Sequence, residues 1–174
     1  MTQFNINKFK KQTLFDANVK NDLTAPINTE IIKNILPHRE PFLFIDSIDV
    51  INLEQRLIKA TRWIDPKDPL FDGHFPNNPI YPGVLQQEIM FQTCLALYYF
   101  VAHNTAQAPT TDSIIDAVGT RAYDVHNLAA VKPNDTVSIY CHILEYDDLL
   151  VTGLSQTCVG EKVCCIGKGE FYVT

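Results

Sequence analysis

His74 and Glu88 flank a short proline-rich loop and the start of an apolar run. An imidazole with a carboxyl is the smallest set of side chains that can take a proton from one atom and give one to another. Histidine suits the base because its ordinary pKa lies near neutral pH. Glutamate suits the acid if burial among Ile89, Met90 and Phe91 keeps a proton on it. Between them, Pro76, Pro79 and Pro82 fix φ, while Asn77, Asn78 and Gly83 tolerate the angles of a tight turn. Such a loop can carry both groups to one cavity, within one subunit or across a dimer seam. Each residue also has a plainer reading. A histidine before Phe-Pro can cap backbone carbonyls, and Glu88 can offset a helix dipole, worth roughly 0.3–1 kcal/mol.

The element that must position Glu88 is a helix from Gly83 to about Ala102. It contains no Lys, Arg or Asp, and apart from Gln86, Gln87, Glu88, Gln92 and Thr93 its side chains are apolar or aromatic on every face. That pattern predicts a buried helix, while the early Gln and Glu residues argue against a membrane span. Its first turn offers bare N–H groups at Gly83 and Val84 to an oxygen that gains negative charge, and glycine there permits a close approach. Gln92, one turn beyond Glu88, is placed to hydrogen-bond its carboxyl.

The remaining elements are sheet. Thr29 is a plausible N-cap for a short helix that Pro37 ends. Strands are expected over Phe42–Ile51 and Arg56–Ile64, then over Ser113–Val125, Thr136–Tyr146, Leu149–Val159 and Lys162–Val173, with hairpin turns at Asp147-Asp148 and Gly160-Glu161. Val137, Ile139, Cys141 and Ile143 alternate with Ser138, Tyr140 and His142, the mark of a half-buried antiparallel strand. One helix buried all round needs a sheet that curls around it, which is an α+β architecture. Residues 1–28 read as a polar N-terminal arm and residues 29–174 as one domain. The arm's default is solvation, with packing on a partner subunit as the alternative.

A chain of 174 residues, 46% hydrophobic, suffices for about one domain with a real core. A net charge of -6 argues against a nucleic-acid partner. No signal peptide is visible in the first fifteen or so residues, so a cytoplasmic location is expected. The five cysteines then read as reduced packing residues, and they lack paired C-x-x-C spacing for zinc. Asp65, Asp68 and Asp72, set among prolines, read as a solvated loop.

Two runs carry a family resemblance. Gly73-His74-Phe75-Pro76-Asn77-Asn78-Pro79-Ile80-Tyr81-Pro82-Gly83-Val84-Leu85-Gln86-Gln87-Glu88, with Gln92 beyond it, resembles the signature of the FabZ-type 3-hydroxyacyl-[acyl-carrier-protein] dehydratases. Upstream, Leu36-Pro37-His38-Arg39-Glu40-Pro41-Phe42-Leu43-Phe44-Ile45-Asp46 is similar to that family's first segment, with Glu40 where the family usually has Tyr. The resemblance implies the hot-dog fold, an antiparallel sheet wrapped around a long central helix, with subunits joined edge to edge in a homodimer and a trimer of dimers as a further option. It implies that His74 and Glu88 are catalytic and face each other from different subunits. The reaction implied is loss of water from a 3-hydroxyacyl thioester, giving the trans-2-enoyl thioester in fatty-acid or related polyketide or polyene synthesis, without metal or nucleotide. Acyl-carrier protein or coenzyme A would hold the acyl group. Gly83, Val84, Phe75, Tyr81 and Gln92 are the expected substrate-binding residues, Tyr81 by lining the acyl channel, with simple packing as its alternative. His38 and Arg39 are expected to serve structure at the subunit seam.

The match thins near the expected carrier-docking segment. Val125 to Asp135 keeps a Pro-Asn-Asp turn but little positive charge, so an acidic carrier gains little steering unless it uses another patch such as Lys132 with Arg121. Nothing in the residues accounts for Glu40. Two alternatives stay open: an acyl-thioester hydrolase of the same fold, in which the carboxyl activates water, and a non-catalytic acyl-thioester-binding protein, which lacks an evident output module.

Overall fold

The computed structural model describes residues 6–16, 18–115 and 117–173. A 3-10 helix at Ile6–Lys10 precedes β1 (Ile27–Asn28), α1 (Thr29–Ile32), β2 (Ser47–Asn52), β3 (Leu57–Trp63) and α2 (Leu70–Gly73). The long helix α3 (Gly83–Ala102) follows, then β4 (Ala117–Asn127), β5 (Thr136–Tyr146), β6 (Leu150–Val159) and β7 (Lys162–Val173). The strands form one seven-stranded antiparallel sheet in the order β1-β2-β3-β5-β6-β7-β4. It curls around α3, which packs on β3, β5, β6 and β7. This is the α+β hot-dog arrangement expected from the sequence.

The helix is the core. Ile89, Met90, Leu95, Ala96, Leu97 and Phe100 are fully buried, against Ile58, Ala60, Ile139, Cys141, Ile143 and Val151 of the sheet. In β5 the expected alternation holds: Val137, Ile139, Cys141 and Ile143 are buried, and Ser138, Tyr140 and His142 are only partly covered. All five cysteines are buried and free, consistent with packing. Among the described residues, no helix is long and apolar enough to cross a membrane.

β6 departs from alternation, being buried on both faces. The reason is the N-terminal arm, which lies on the outer face of its own sheet rather than in solvent. Ile6, Phe9 and Leu14 cover Leu154, Cys158, Val163 and Ile166. The fully buried Gln156 fastens the arm: its Nε2 donates to Phe9 O (2.6 Å) and Gln12 O (2.9 Å), and its Oε1 accepts from Leu14 N (3.0 Å).

Three expected boundaries shift, each for a visible reason. Asn28, not Thr29, caps α1: its side chain accepts from Ile31 N, while the Thr29 hydroxyl donates to Asp46 O. Phe42–Asp46 is not strand, because the main chain of Phe42 and Phe44 is bound by a side chain from α3. Residues 113–115 are not strand either, since Ser113 N and Ile115 N donate to Asn34 O and Ile35 O beyond α1. At the two sheet edges, β1 has only two residues, whereas β4 has eleven and pairs only with β7.

Candidate active site

Glu88 projects from the second turn of α3 and is half-buried. Its Oε1 accepts a hydrogen bond from Gln92 Nε2 at 2.9 Å, the contact expected from their one-turn spacing. Gln92 is itself fully buried and wholly committed. Nε2 also donates to Phe42 O (2.8 Å), and Oε1 accepts from Phe44 N (2.9 Å). Rotating this amide by half a turn would set oxygen against oxygen and N–H against N–H at every contact, so only one orientation is allowed. Gln92 therefore always donates to Glu88.

A residue expected to be structural joins this pair. His38 Nε2 lies 3.5 Å from the same Oε1 of Glu88. Its ring stacks on Phe42 (centroids 6.3 Å apart) and meets Phe91 edge-on (6.4 Å). Burial lowers the His38 pKa below the ordinary 6.5; Glu88 opposes this and Arg39 adds to it. Glu88, expected to sit among Ile89, Met90 and Phe91, thus lies between two side-chain nitrogens instead, while Ile89 and Met90 are fully buried in the core. Arg39 is structural, its guanidinium donating to Leu36 O and His38 O (2.8 Å each). Glu40 has a partner that the sequence did not suggest: Lys33, the residue that follows α1, at 3.0 Å, which also holds Glu30 at 2.8 Å. Asp46 closes the same segment onto β3 by accepting from Arg62 (2.7 Å) and from Trp63 N (2.6 Å).

His74 ends α2, its amide donating to Leu70 O. The loop then returns on itself, with Ile80 N donating to His74 O (3.0 Å) and His74 Nδ1 contacting Ile80 O (2.8 Å). A carbonyl only accepts, so Nδ1 carries the hydrogen, and in the neutral ring Nε2 is left with its lone pair. This is the tautomer a general base requires. Among the described residues, no hydrogen bond or ion pair joins His74 to Glu88 within one chain.

The expected binding residues divide. Val84 and Phe75 are exposed, 69% and 51%, and the Phe75 ring stacks on His74 (4.2 Å). The α3 N-terminus has no side-chain cap, since Pro82 precedes it. Gly83, expected to admit a substrate oxygen, has a protein neighbour: a methyl group there would come within 2.9–3.1 Å of the Asn127 carboxamide. Asn127, at the end of β4, was not singled out from the sequence, because a contact across elements leaves no local pattern. Tyr81, expected to line a channel, instead packs in the core 3% exposed, its ring 6.5 Å from Phe71. Its hydroxyl is buried and, among the described residues, has no hydrogen-bond partner, and burial raises its pKa.

Behind Phe91, between α3 and strands β6 and β7, a small apolar slot of about 10 Å³ is lined by Phe91, Cys94, Gly153, Ser155, Gly169 and Phe171. Gly153 and Gly169 are register partners, so the sheet presents no side chain there. The Phe91 and Phe171 rings meet edge-on at 5.4 Å beside it. A larger cleft of about 660 Å³ lies at the opposite end of α3, beside Ile27, Ile31 and Thr105, and contains none of the candidate residues.

Comparisons with known proteins give relatives in sequence and in fold. Residues 36–164 match the model of the FabA-like domain. The chain is 31% identical over 140 residues, covering 80% of itself and 93% of the relative, to the 3-hydroxyacyl-[acyl-carrier-protein] dehydratase FabZ of Clostridium botulinum (strain Eklund 17B / Type B). Identity to the FabZ of Clostridioides difficile (strain 630) is 28% over 145 residues, 83% of this chain and 96% of that one. Among solved structures, a chain of the dehydratase heterocomplex ApeI:P from Xenorhabdus doucetiae superposes with a TM-score of 0.60 at 14% identity, covering 82% of this chain and 90% of that chain. A hypothetical thioesterase with coenzyme A from Streptococcus pneumoniae TIGR4 gives 0.54 at 12% identity, covering 73% and 84%. These two likenesses establish a shared fold.

Proposed function

We propose, from the premise that this chain belongs to the FabZ-type 3-hydroxyacyl-[acyl-carrier-protein] dehydratase family, that His74 and Glu88 carry out the dehydration of a 3-hydroxyacyl thioester. The observation that supports these roles most directly is the His74 ring itself. Its Nδ1 is tied to Ile80 O, so in the neutral ring Nε2 is left as the basic atom. In the proposed reaction Nε2 takes the proton from C2, and negative charge gathers on the thioester oxygen, toward which the uncapped end of α3 can direct its N–H groups. Glu88 gives its proton to the C3 hydroxyl as the C3–O bond breaks. Water and the trans-2-enoyl thioester leave, with one proton gained by His74 and one lost by Glu88. Proton exchange with solvent resets the pair.

Among the described residues, no hydrogen bond or ion pair joins the two groups within one chain, and the exposed surface suggests a meeting across two. Phe42, Phe75, Val84 and Leu128 are all more than 40% exposed, close in sequence to the site residues or to the end of β4. The long free edge of β4 is the kind of strand that proteins cover by pairing. A two-fold dimer through β4 covers that edge and sets His74 of one subunit against Glu88 of its partner. The acyl group would be borne on an acyl-carrier protein or coenzyme A. Arg121, a candidate for carrier docking, stands 3.6 Å from Glu170.

Absorbance of the enoyl thioester, followed with carrier-protein and coenzyme A substrates of several chain lengths, tests the reaction. Release of free thiol and acid without enoyl product would overturn it in favour of hydrolysis. Shared sites are tested by co-expressing His74→Ala with Glu88→Ala. Each mutant alone should be inactive, whereas a random mixture of dimers should recover about a quarter of wild-type activity, because each heterodimer holds one intact site. No recovery would place both residues in sites within single subunits.

A further inference from the structure

We propose that His38 is a positioning residue for Glu88: from its Nε2 it shares Glu88 Oε1 with Gln92, which turns Oε2 toward the substrate as the oxygen that delivers the proton. The inference rests on the dehydratase reading of Glu88 and deepens it. Gln92 Nε2 lies 2.9 Å and His38 Nε2 3.5 Å from the same oxygen, and Oε2 has no partner among the described residues. The orientation of Gln92 is dictated by Phe42 O and Phe44 N, so it holds one side of the carboxyl rigidly. His38 is held as firmly from the other side, its ring between Phe42 and Phe91 and only 17% of its side chain exposed.

The ring's other nitrogen settles the tautomer. Nδ1 is buried without a hydrogen-bond partner among the described residues. A hydrogen there would be a buried, unsatisfied donor, whereas a hydrogen on Nε2 sits on the nitrogen that lies 3.5 Å from a carboxyl oxygen. Burial favours the neutral ring. The charged groups around it are Glu88 on α3 and Arg39 beside it in the chain. The single hydrogen of the neutral imidazole therefore lies on Nε2. As the Oε2 proton passes to the C3 hydroxyl and charge develops on Glu88, both side-chain nitrogens already lie beside Oε1, so that stabilisation needs little rearrangement. His38 exchanges no proton in this step; the proton lost from Oε2 becomes part of the departing water.

Side-chain replacement separates this role from simple packing. Glutamine carries its Nε2 as many bonds from Cα as histidine does, whereas asparagine reaches only as far as Nδ1. With full-length dimeric protein, His38→Ala should lower kcat about tenfold to a hundredfold with KM nearly unchanged, since a misdirected acid harms the reaction rather than binding. His38→Gln should restore most of kcat and His38→Asn should not. Nitrogen-15 NMR of the wild-type chain should show His38 protonated on Nε2 and bare on Nδ1. Full kcat in His38→Ala, equal behaviour of the Gln and Asn variants, or a hydrogen on Nδ1 overturns the assignment while the dehydratase reading stands. Wild-type protein that forms no enoyl thioester overturns both.

Discussion

Gln92 Nε2 donates to Glu88 Oε1 and to Phe42 O at once, so one amide ties the candidate acid to a segment fifty residues upstream. The three contacts of Gln92 are all polar and its side chain is fully buried. Gln92→Leu keeps the volume and removes every contact. It leaves the buried Phe44 N–H without its partner and frees the partly covered Phe42 C=O, at a cost of about 1–3 kcal/mol of stability. Urea denaturation should show that loss, and kcat should fall because the carboxyl is no longer aimed. A variant as stable and as active as wild type would show that Gln92 positions neither the loop nor the acid.

Gly83 and Asn127 permit a second test. No positive φ requires glycine at 83; the close Asn127 carboxamide does. Gly83→Ala should therefore lower kcat/KM by about tenfold through a small displacement of the α3 entrance. Asn127→Ala in the same chain should recover most of it. If the double variant stays impaired while Asn127→Ala alone is active, glycine is needed for the substrate's approach instead.

The sequence made α3 and its surroundings readable because their signals are local. Pro82-Gly83 marks the helix start, uninterrupted apolar faces mark its burial, and the alternation of β5 together with the turns on either side of β6 sets their ends. What it hid are contacts between distant segments. The claim of Gln92 on Phe42 and Phe44 turns a run that looks like strand into irregular chain, and it carries His38 to Glu88. The arm's Ile6, Phe9 and Leu14 look isolated in sequence, and they form a patch only when laid on β6 and β7.

Acid should weaken the fold through two histidines before it reaches the carboxylates. Burial lowers the pKa of His38, with Glu88 opposing and Arg39 assisting, and burial with Arg56 nearby lowers that of His142. Below the ordinary value of 6.5 the unfolded chain binds protons that the native rings refuse, so stability falls with pH until the folded-state values are passed. Asp22, Glu40 and Asp147, whose pKa values are lowered by partners, lose their contributions only below about their ordinary values of 3.8 to 4.5. The Tm should drop as the pH falls below 6.5 in the wild type, and His38→Gln with His142→Gln should flatten that decline. An unchanged slope in the double variant would place the responsible protons elsewhere.

The slot behind Phe91 depends on an absence of side chains in β6 and β7. Gly153 faces Gly169 across the two strands, and a methyl group at 153 would overlap Cys94 Sγ on α3. Cys94 is buried, so its thiol cannot move aside freely. Gly153→Ala should destabilise the protein by about 1–3 kcal/mol, the usual cost of one methyl group too many in a packed core. Cys94→Ala should cost about 1 kcal/mol alone, by the volume it removes. Together they should be more stable than Gly153→Ala alone, with a coupling of about 1–2 kcal/mol between sites in contact. Denaturant unfolding of the four proteins closes the cycle. Strictly additive losses would mean that α3 does not press on the sheet at this point, and that the floor of the slot is set by something other than Cys94.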